Sequence, residues 1–186
     1  MTAGWFATVA SNTPYEGAFL SVRVDEVAMP DGTTAHREVI GHLGAVAVVP
    51  VMDDGTVVLL KQYRHAIGRY NVEIPAGKLD VEGEDFEAAA QRELVEEIGH
   101  RAGRLDHLTT FLNSAGWTDE VTHVYLGREL EGATPPPEFQ PKAEEADMEV
   151  LRLPMSECLA MVDEGSLTDA KTVIGLLLAA RRLGLR

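Results

Sequence analysis

The chain has 186 residues, 45% hydrophobic and 25% charged, which is typical of one globular domain and unlike disordered or collagen-like chains. Thirty acidic against sixteen basic residues give a formal net charge of −14, which disfavours nucleic acid and anionic membranes as partners. The start of the sequence lacks a secretory-signal pattern, and no apolar run reaches the roughly 20 residues of a membrane helix. With the single cysteine, Cys158, expected to be a small buried hydrophobe, we expect a cytoplasmic enzyme or binding protein.

Two β-hairpins are predicted near the N-terminus. In the first, strand-like residues 18–29 and 33–39 flank the turn PDG. In the second, the nearly continuous apolar run 45–52 meets residues 57–64 across the turn DDG. Because residues 45–52 are apolar on both faces, we expect them to lie at the centre of a sheet.

A helix with one apolar stripe follows. After a short strand at residues 72–74 and a Pro/Gly loop, residues 84–98 predict a helix that Gly99 caps. Apolar residues recur every four positions along this helix and predict one buried stripe: Phe86, Ala90, Leu94 and Ile98.

The C-terminal half predicts three more strands and two helices. The strands are expected at residues 105–112, 121–127 and 148–153, and a Pro-rich acidic loop separates the last two. The helices are expected at residues 155–165 and 169–184. The second of them is expected to pack through four residues: Ile174, Leu177, Leu178 and Ala179.

Three glutamates lie close together on the predicted helix 84–98. At about 100° per residue, Glu93, Glu96 and Glu97 point to one side of it. Arg92 can pair with Glu96, but Glu93 and Glu97 repel each other at i,i+4 spacing. The patch is either a solvated face or a set of ligands, because a hard divalent cation would turn the repulsion into coordination.

The wider pattern from Gly77 to Gly99 resembles the box of the Nudix family, G-x5-E-x7-R-E-U-x-E-E-x-G-U, where U is a bulky apolar residue. Seven residues separate Glu84 from the run RELVEEIG, in register with that box. Two positions depart from it: six residues rather than five separate Gly77 from Glu84, and His100 occupies the last apolar position. We interpret the first as a tolerated loop insertion and the second as a loss of packing only.

The resemblance implies a fold and a metal site. The fold would be an α/β/α sandwich with a mixed sheet. The reaction would be the hydrolysis of nucleoside diphosphates linked to another moiety. It would use two or more Mg²⁺ ions, with Mn²⁺ as the alternative. Glu93 and Glu97 would be metal ligands, and Glu96 would be a further or water-mediated one. The carbonyl of Ala76 would complete the ligand set.

Three further residues of the box would orient its loop and helix. Arg92 and Glu84 would form a salt bridge within the box, and Gly77 would belong to the loop before the helix. Neither residue of the salt bridge is expected to touch the substrate.

Beyond the box, residues 35–180 resemble the ADP-ribose pyrophosphatase branch of this family. KQYRHAIGRYNVEIPAGKLD is similar to its R-Q-Y-R…E-x-P-A-G run, and SAGWTDE is similar to its S-P-G loop, with Ala115 in place of proline. AEEADMEVLRL followed by GSLTDAKTVIGLLLA is similar to its catalytic loop, strand and closing helix. The order and spacing of these segments carry the resemblance, since no segment is specific alone.

This branch implies three substrate contacts. Arg64 would contact the pyrophosphate or its flanking ribose, and Glu73 would accept hydrogen bonds from ribose hydroxyls. Arg37 would reach the nucleotide of the partner subunit, because the branch exchanges its N-terminal strands across a homodimer. Without the resemblance, each of the three would be interpreted as an exposed strand residue.

The catalytic base is expected on the loop before the last strand. By resemblance to the branch, Glu144 would activate the attacking water, with Glu145 as the alternative and Glu97 as a further catalytic group. Without the resemblance, these adjacent loop glutamates would be interpreted as solvated.

We therefore predict an N-terminal β subdomain at residues 1–42, used in dimerisation, and a Nudix domain at residues 43–186. The expected reaction converts ADP-ribose to AMP and ribose 5-phosphate. The same chemistry on another nucleotide sugar, on NADH or on a diadenosine polyphosphate is the first alternative. A nucleotide-sensing domain without activity is disfavoured because four box glutamates are present: Glu84, Glu93, Glu96 and Glu97.

Overall fold

This computed structural model describes residues 5–141 and 146–185, which include strands, α-helices and a 3-10 turn at His65–Ile67. The α-helices are α1 Phe86–Ile98, α2 Met155–Asp163 and α3 Ala170–Arg182. None of the described helices is long and apolar enough to cross a membrane. The strands are β1 Thr8–Glu16, β2 Leu20–Ala28, β3 Thr34–His42, β4 Ala45–Pro50, β5 Thr56–Arg64, β6 Arg69–Glu73, β7 Ala76–Lys78, β8 His100–Leu112, β9 Val121–Gly132 and β10 Glu149–Pro154.

The chain divides into two compact units. The first comprises Met1–Gly44 and Phe111–Val121, of which the structure describes residues from 5 onward. The second comprises Ala45–Thr110 and Thr122–Arg186, with the described limits given above. Each unit has its own β-structure.

The first unit contains a three-stranded antiparallel sheet in the order β1-β2-β3. Strands β2 and β3 form the first predicted hairpin, and an N-terminal antiparallel sheet is confirmed. Strand β1 was not predicted, because its sequence TVASNTPYE has no apolar alternation and every residue in it is exposed. It forms by pairing with β2 at the edge of the sheet, an interaction between distant residues that a local pattern does not show.

The second unit is built around a four-stranded mixed sheet in the order β7-β4-β9-β8. Strand β4 is antiparallel to β7 and parallel to β9, and five of its six residues are buried. Its Val46 and Val48 belong to one apolar cluster with the α1 residue Leu94. On the opposite face, the Val49 side chain lies against Gly175 of α3. Helices therefore cover both faces of β4, and the predicted α/β/α arrangement with a mixed sheet is confirmed.

The second predicted hairpin is wrong beyond its turn. Only the bridge Val51–Val57 and the hydrogen bond from the Met52 amide to the Thr56 carbonyl join the two strands. Strand β5 instead pairs with β10 and β6 in a separate three-stranded antiparallel sheet. An apolar run indicates that a strand is buried on both faces, but it does not identify the neighbouring strand.

Packing corrects the details of three predicted segments. The loop predicted around Gly77 contains the short strand β7, which pairs with β4. Phe86 is 45% exposed and stacks on the His123 ring, so α1 buries Ala89 in its place. On α3, Leu177 is exposed and four residues of its buried face are Gly175, Leu176, Ala179 and Ala180. The expectation that Cys158 is buried is confirmed.

Candidate active site

Helix α1 presents its glutamates to strand β7. The helix begins after Asp85, whose carboxylate accepts a hydrogen bond from the Ala88 amide, and it ends at Gly99 in the left-handed conformation with φ of 65°. With both ends fixed, the Glu97 carboxylate accepts a hydrogen bond of 2.9 Å from the amide of Ala76 on β7. The strand expected to provide a carbonyl ligand at Ala76 therefore lies against the expected carboxylate ligand Glu97.

Gly77 leaves the space that the Glu93 side chain occupies. A Cβ atom at position 77 would lie only 1.8 Å from Cδ of Glu93, far inside van der Waals contact. The φ of Gly77 is not in the left-handed region, so the backbone conformation does not require glycine here. Glycine is required because the Glu93 carboxylate lies so close to the strand.

Burial disfavours the ionised forms of the Glu93 and Glu97 carboxylates. It raises the pKa of Glu97 to about 8, and the neighbouring charge of Glu93 adds to this effect. It also raises the pKa of Glu93 to about 7, against the opposing effect of Arg92. Both carboxylates would be partly protonated near neutral pH, and a bound cation would favour their ionised forms.

Arg92 is the ionic centre of the box. Its guanidinium lies 3.0 Å from Glu84, 2.5 Å from Glu93 and 3.4 Å from Glu96. Burial opposes the charge of Arg92, but the hydrogen bonds and charges of Glu84 and Glu93 hold its pKa above the ordinary value. The Arg92–Glu84 salt bridge is present in the structure, and its orienting role stays a prediction.

The donor set fits a hard divalent cation in its chemistry. Carboxylate oxygens are the ligands that Mg²⁺ and Mn²⁺ prefer, and Gly77 provides the room beside Glu93. As the side chains stand, no three His, Cys, Asp or Glu residues in the described part of the chain are grouped closely enough to hold a metal ion. In this arrangement the Arg92 guanidinium binds the Glu93 and Glu96 carboxylates.

A second ionic cluster joins Arg64 of β5 to Glu73 of β6. Arg64 donates from Nε and Nη2 to the two carboxylate oxygens of Glu73, at 2.9 and 2.7 Å. Glu73 is 1% exposed, and it also accepts hydrogen bonds from Asn71 and Lys171. Burial acts to raise the pKa of Glu73, but Arg64 and Lys171 outweigh it and hold the pKa at about 2. Glu73 is thus a buried anion with protein partners, and its predicted contact with ribose stays a prediction.

The first turn of α3 was not predicted to be part of this site. The N-cap Asp169 accepts hydrogen bonds from Thr172 and from Lys171. The buried Thr172 hydroxyl accepts a hydrogen bond of 2.9 Å from the amide of Ile74, two residues before Ala76. The sequence carried one signal for this turn, the D-x-x-T spacing of a helix N-cap.

The other predicted residues belong to the first unit or lie outside the described residues. Arg37 lies on β3 of the first unit, where its guanidinium donates to the carbonyl of His36. Both base candidates, Glu144 and Glu145, lie outside the described residues. Two residues further on, the Asp147 carboxylate accepts a hydrogen bond of 2.5 Å from the Tyr70 hydroxyl on β6.

Comparisons with known proteins agree with this architecture. Residues 41–169 match the NUDIX domain family, and residues 7–40 match the nucleoside diphosphate sugar hydrolase N-terminal domain. The chain is 37% identical over 169 residues to ADP-ribose pyrophosphatase of Bacillus subtilis, covering 91% of this chain and 89% of that protein. It is 38% identical over 172 residues to ADP-ribose pyrophosphatase of Mycobacterium tuberculosis, covering 92% and 82% of the two chains.

A solved structure shares the fold over nearly the whole chain. The crystal structure of an ADP compounds hydrolase superposes with a TM-score of 0.82 and covers 99% of this chain and 97% of its own. At 19% sequence identity, this likeness bears on the fold alone.

Proposed function

The chain belongs to the Nudix family, and from this premise we propose that it is a divalent-metal-dependent pyrophosphohydrolase that cleaves ADP-ribose to AMP and ribose 5-phosphate. The observation that carries the proposal is the pair of carboxylates on buried Glu93 and partly buried Glu97, which lie against Gly77 and the Ala76 amide of β7. The ADP-ribose pyrophosphatases of Bacillus subtilis and Mycobacterium tuberculosis, similar over most of the chain, support the choice of substrate.

The proposed reaction adds water across the pyrophosphate bridge. The water oxygen bonds to one phosphorus, the bridging P–O bond on that phosphorus breaks, and each product retains one phosphate. When bound, divalent cations neutralise the charge of the pyrophosphate. Glu93 and Glu97 would hold those cations, with Glu96 and the Ala76 carbonyl as further ligands. Nudix hydrolases require divalent ions, and we propose Mg²⁺, with Mn²⁺ as the alternative.

Arg64 and the loop glutamates would act on the substrate and the water. Arg64 is 43% exposed through its side chain and lies near enough to Glu97 for their charges to interact. Its guanidinium suits the recognition of a phosphate or a ribose oxygen. Glu144 would accept the proton of the attacking water, with Glu145 as the alternative.

The assignment of the base is testable by exchanging one residue at a time. We expect Glu144→Gln to lower kcat by roughly 10²- to 10⁴-fold, as for a lost general base, with little change in KM. Glu145→Gln is the matched control and should retain most of kcat. If only Glu145→Gln loses activity, the base is Glu145.

A homodimer is proposed from the surface of the first unit. Eight of the fifteen exposed large hydrophobic residues among those described lie in this unit, which is less than a third of the chain. Such a concentration favours burial against another molecule, and we propose a second copy of this chain. The eight residues are Trp5, Phe6, Val9, Tyr15, Phe19, Leu43, Leu112 and Trp117. The cytoplasm remains the proposed location, in keeping with a single, buried cysteine.

One assay tests the proposed function against its alternatives. AMP release would be measured from ADP-ribose, ADP-glucose, NADH and diadenosine polyphosphates, each with Mg²⁺, with Mn²⁺ and with a chelator. We expect ADP-ribose to give the highest kcat/KM and the chelator to abolish turnover. Higher kcat/KM for another compound would replace the substrate but keep the chemistry. Binding without turnover of any compound would favour a nucleotide-sensing domain.

A further inference from the structure

Lys171 occupies a position that is electrostatically unfavourable for an isolated lysine. It is the second residue of α3, two positions after the N-cap Asp169, where the positive end of the helix dipole repels a cation. Two carboxylates compensate for this repulsion: Asp169, at 3.0 Å from Nζ, and Glu73, with which Lys171 forms a close ion pair. A lysine that lies against the helix dipole and is compensated by two carboxylates indicates a function beyond helix formation.

Lys171 and Arg64 share one buried carboxylate. Oε2 of Glu73 accepts from both Nη2 of Arg64 and Nζ of Lys171, whereas Oε1 accepts from Nε of Arg64 and from Asn71. A buried carboxylate with this many charged donors has little freedom to rotate. The orientation of the Arg64 guanidinium is therefore coupled to the presence of Lys171.

Exposure distinguishes the three charged groups of this cluster. The side chain of Arg64 is 43% exposed, that of Lys171 is 15% exposed and that of Glu73 is 2% exposed. Arg64 uses Nε and Nη2 toward Glu73, and its Nη1 has no partner among the described residues. Arg64 is thus the member that can reach an incoming anion, and Lys171 lies behind it.

We propose that Lys171 is a positioning residue that holds Arg64, through their shared carboxylate Glu73, with its Nη1 edge available to the anionic part of the substrate. The inference rests on the proposed function, because that function assigns Arg64 to the substrate. Lys171 itself does not touch the substrate. Without the charge of Lys171, Arg64 is the remaining cation on Glu73, beside the neutral donor Asn71, and its guanidinium is drawn toward the carboxylate.

A double-mutant cycle between positions 171 and 64 tests the coupling. The variants are Lys171→Met, Arg64→Met and the double substitution, each assayed for kcat and KM with ADP-ribose. We expect Lys171→Met to raise KM about 5- to 30-fold with kcat changed less than about 3-fold, and to have less than about 2-fold effect in the Arg64→Met background. Lys61→Met is the matched control, because Lys61 pairs with Glu149 on an exposed surface and is expected to leave KM unchanged.

Two further measurements separate this inference from folding and from the proposed function. Lys171→Gln retains a donor to Glu73 without the charge, and it should raise KM less than Lys171→Met, with both variants folded at the assay temperature by circular dichroism. The Kd of ADP-ribose in chelator, where turnover is absent, should follow the same cycle even if the wild-type chain proves not to be a hydrolase. An equal effect of Lys171→Met in both backgrounds, or an unchanged KM, would overturn the inference.

Discussion

At the residue scale, Gly77 and Glu93 show how closely the box is packed. The carboxylate of Glu93 lies where a side chain at position 77 would begin, so the two positions are not independent. Glycine is needed at position 77 for a steric reason that the sequence motif alone does not show.

The substitution Gly77→Ala tests this packing. Because the new Cβ atom would overlap the Glu93 carboxylate, that side chain must move, and we expect kcat to fall by about 10²-fold or more. The concentration of divalent ion needed for half-maximal activity should rise with it. Gly132→Ala is the matched control, since a Cβ atom there meets nothing within 4 Å. Full activity in Gly77→Ala would show that Glu93 is not needed where it lies.

The raised pKa of Glu97 predicts how the stability of the metal-free protein depends on pH. Its pKa is about 8 in the folded protein against an ordinary 4.5, so the folded state holds this proton more tightly than the unfolded chain does. The free energy of unfolding should therefore fall as the pH rises from about 4.5 to about 8, at about 1.4 kcal/mol for each pKa unit between the two states as an upper limit.

The substitution Glu97→Gln should remove most of this dependence. In chelator, we expect its Tm to exceed the wild-type Tm at pH 8 and to approach it at pH 5, as measured by thermal unfolding. Added divalent ion should raise the wild-type Tm at pH 8 but have little effect on the variant. The exposed Glu131→Gln serves as the control. Parallel Tm curves for Glu97→Gln and the wild type would contradict a raised pKa.

At the element scale, α3 lies close to the sheet because one of its residues has no side chain. A Cβ atom at Gly175 would lie 2.9 Å from Val49 and 3.1 Å from Ile74, so the helix and the strands meet at the distance that only glycine allows. The same contact positions the first turn of α3 beside Glu73 and Ile74.

We expect Gly175→Ala to destabilise the protein by about 1–3 kcal/mol, although alanine is the better helix former. The reason is overpacking against β-branched side chains that have little freedom to move. Urea unfolding monitored by circular dichroism would measure it. Leu177→Ala on the exposed face of the same helix should change stability far less. A stabilised Gly175→Ala variant would show that the helix can move away from the sheet without cost.

At the scale of the whole molecule, the proposed homodimer predicts a mass of about 40 kDa by light scattering, twice the 20.2 kDa of one chain. A mass near that of one chain would contradict it. The exchange of Arg37 between subunits is a separate expectation that mass alone does not test.

Complementation between subunits tests the role of Arg37. We expect Arg37→Ala and Glu97→Gln to be impaired as separate homodimers, whereas a heterodimer of the two should regain up to half of the wild-type kcat/KM. One of its sites would then combine an intact Glu97 with Arg37 of the partner chain. Co-expression with two different tags and sequential purification would give the heterodimer. No recovery of activity would mean that Arg37 does not serve the other subunit's site.

The sequence by itself determined the features that depend on local spacing. The register of Glu84, Arg92, Glu93, Glu96 and Glu97 specified the box, because residues three or four apart share one face of a helix. The first hairpin also followed from local patterns, whereas the α/β/α class followed from the resemblance to a family.

Only the tertiary structure decided which distant groups meet. It separated β4 from β5 into different sheets, added the exposed strand β1, and brought Lys171 to Glu73 across 98 positions of sequence. It also made Glu73 a buried ion-pair partner rather than a solvated strand residue. These outcomes depend on strand pairing and on the desolvation of charges by residues far away in the chain, and a local pattern contains neither.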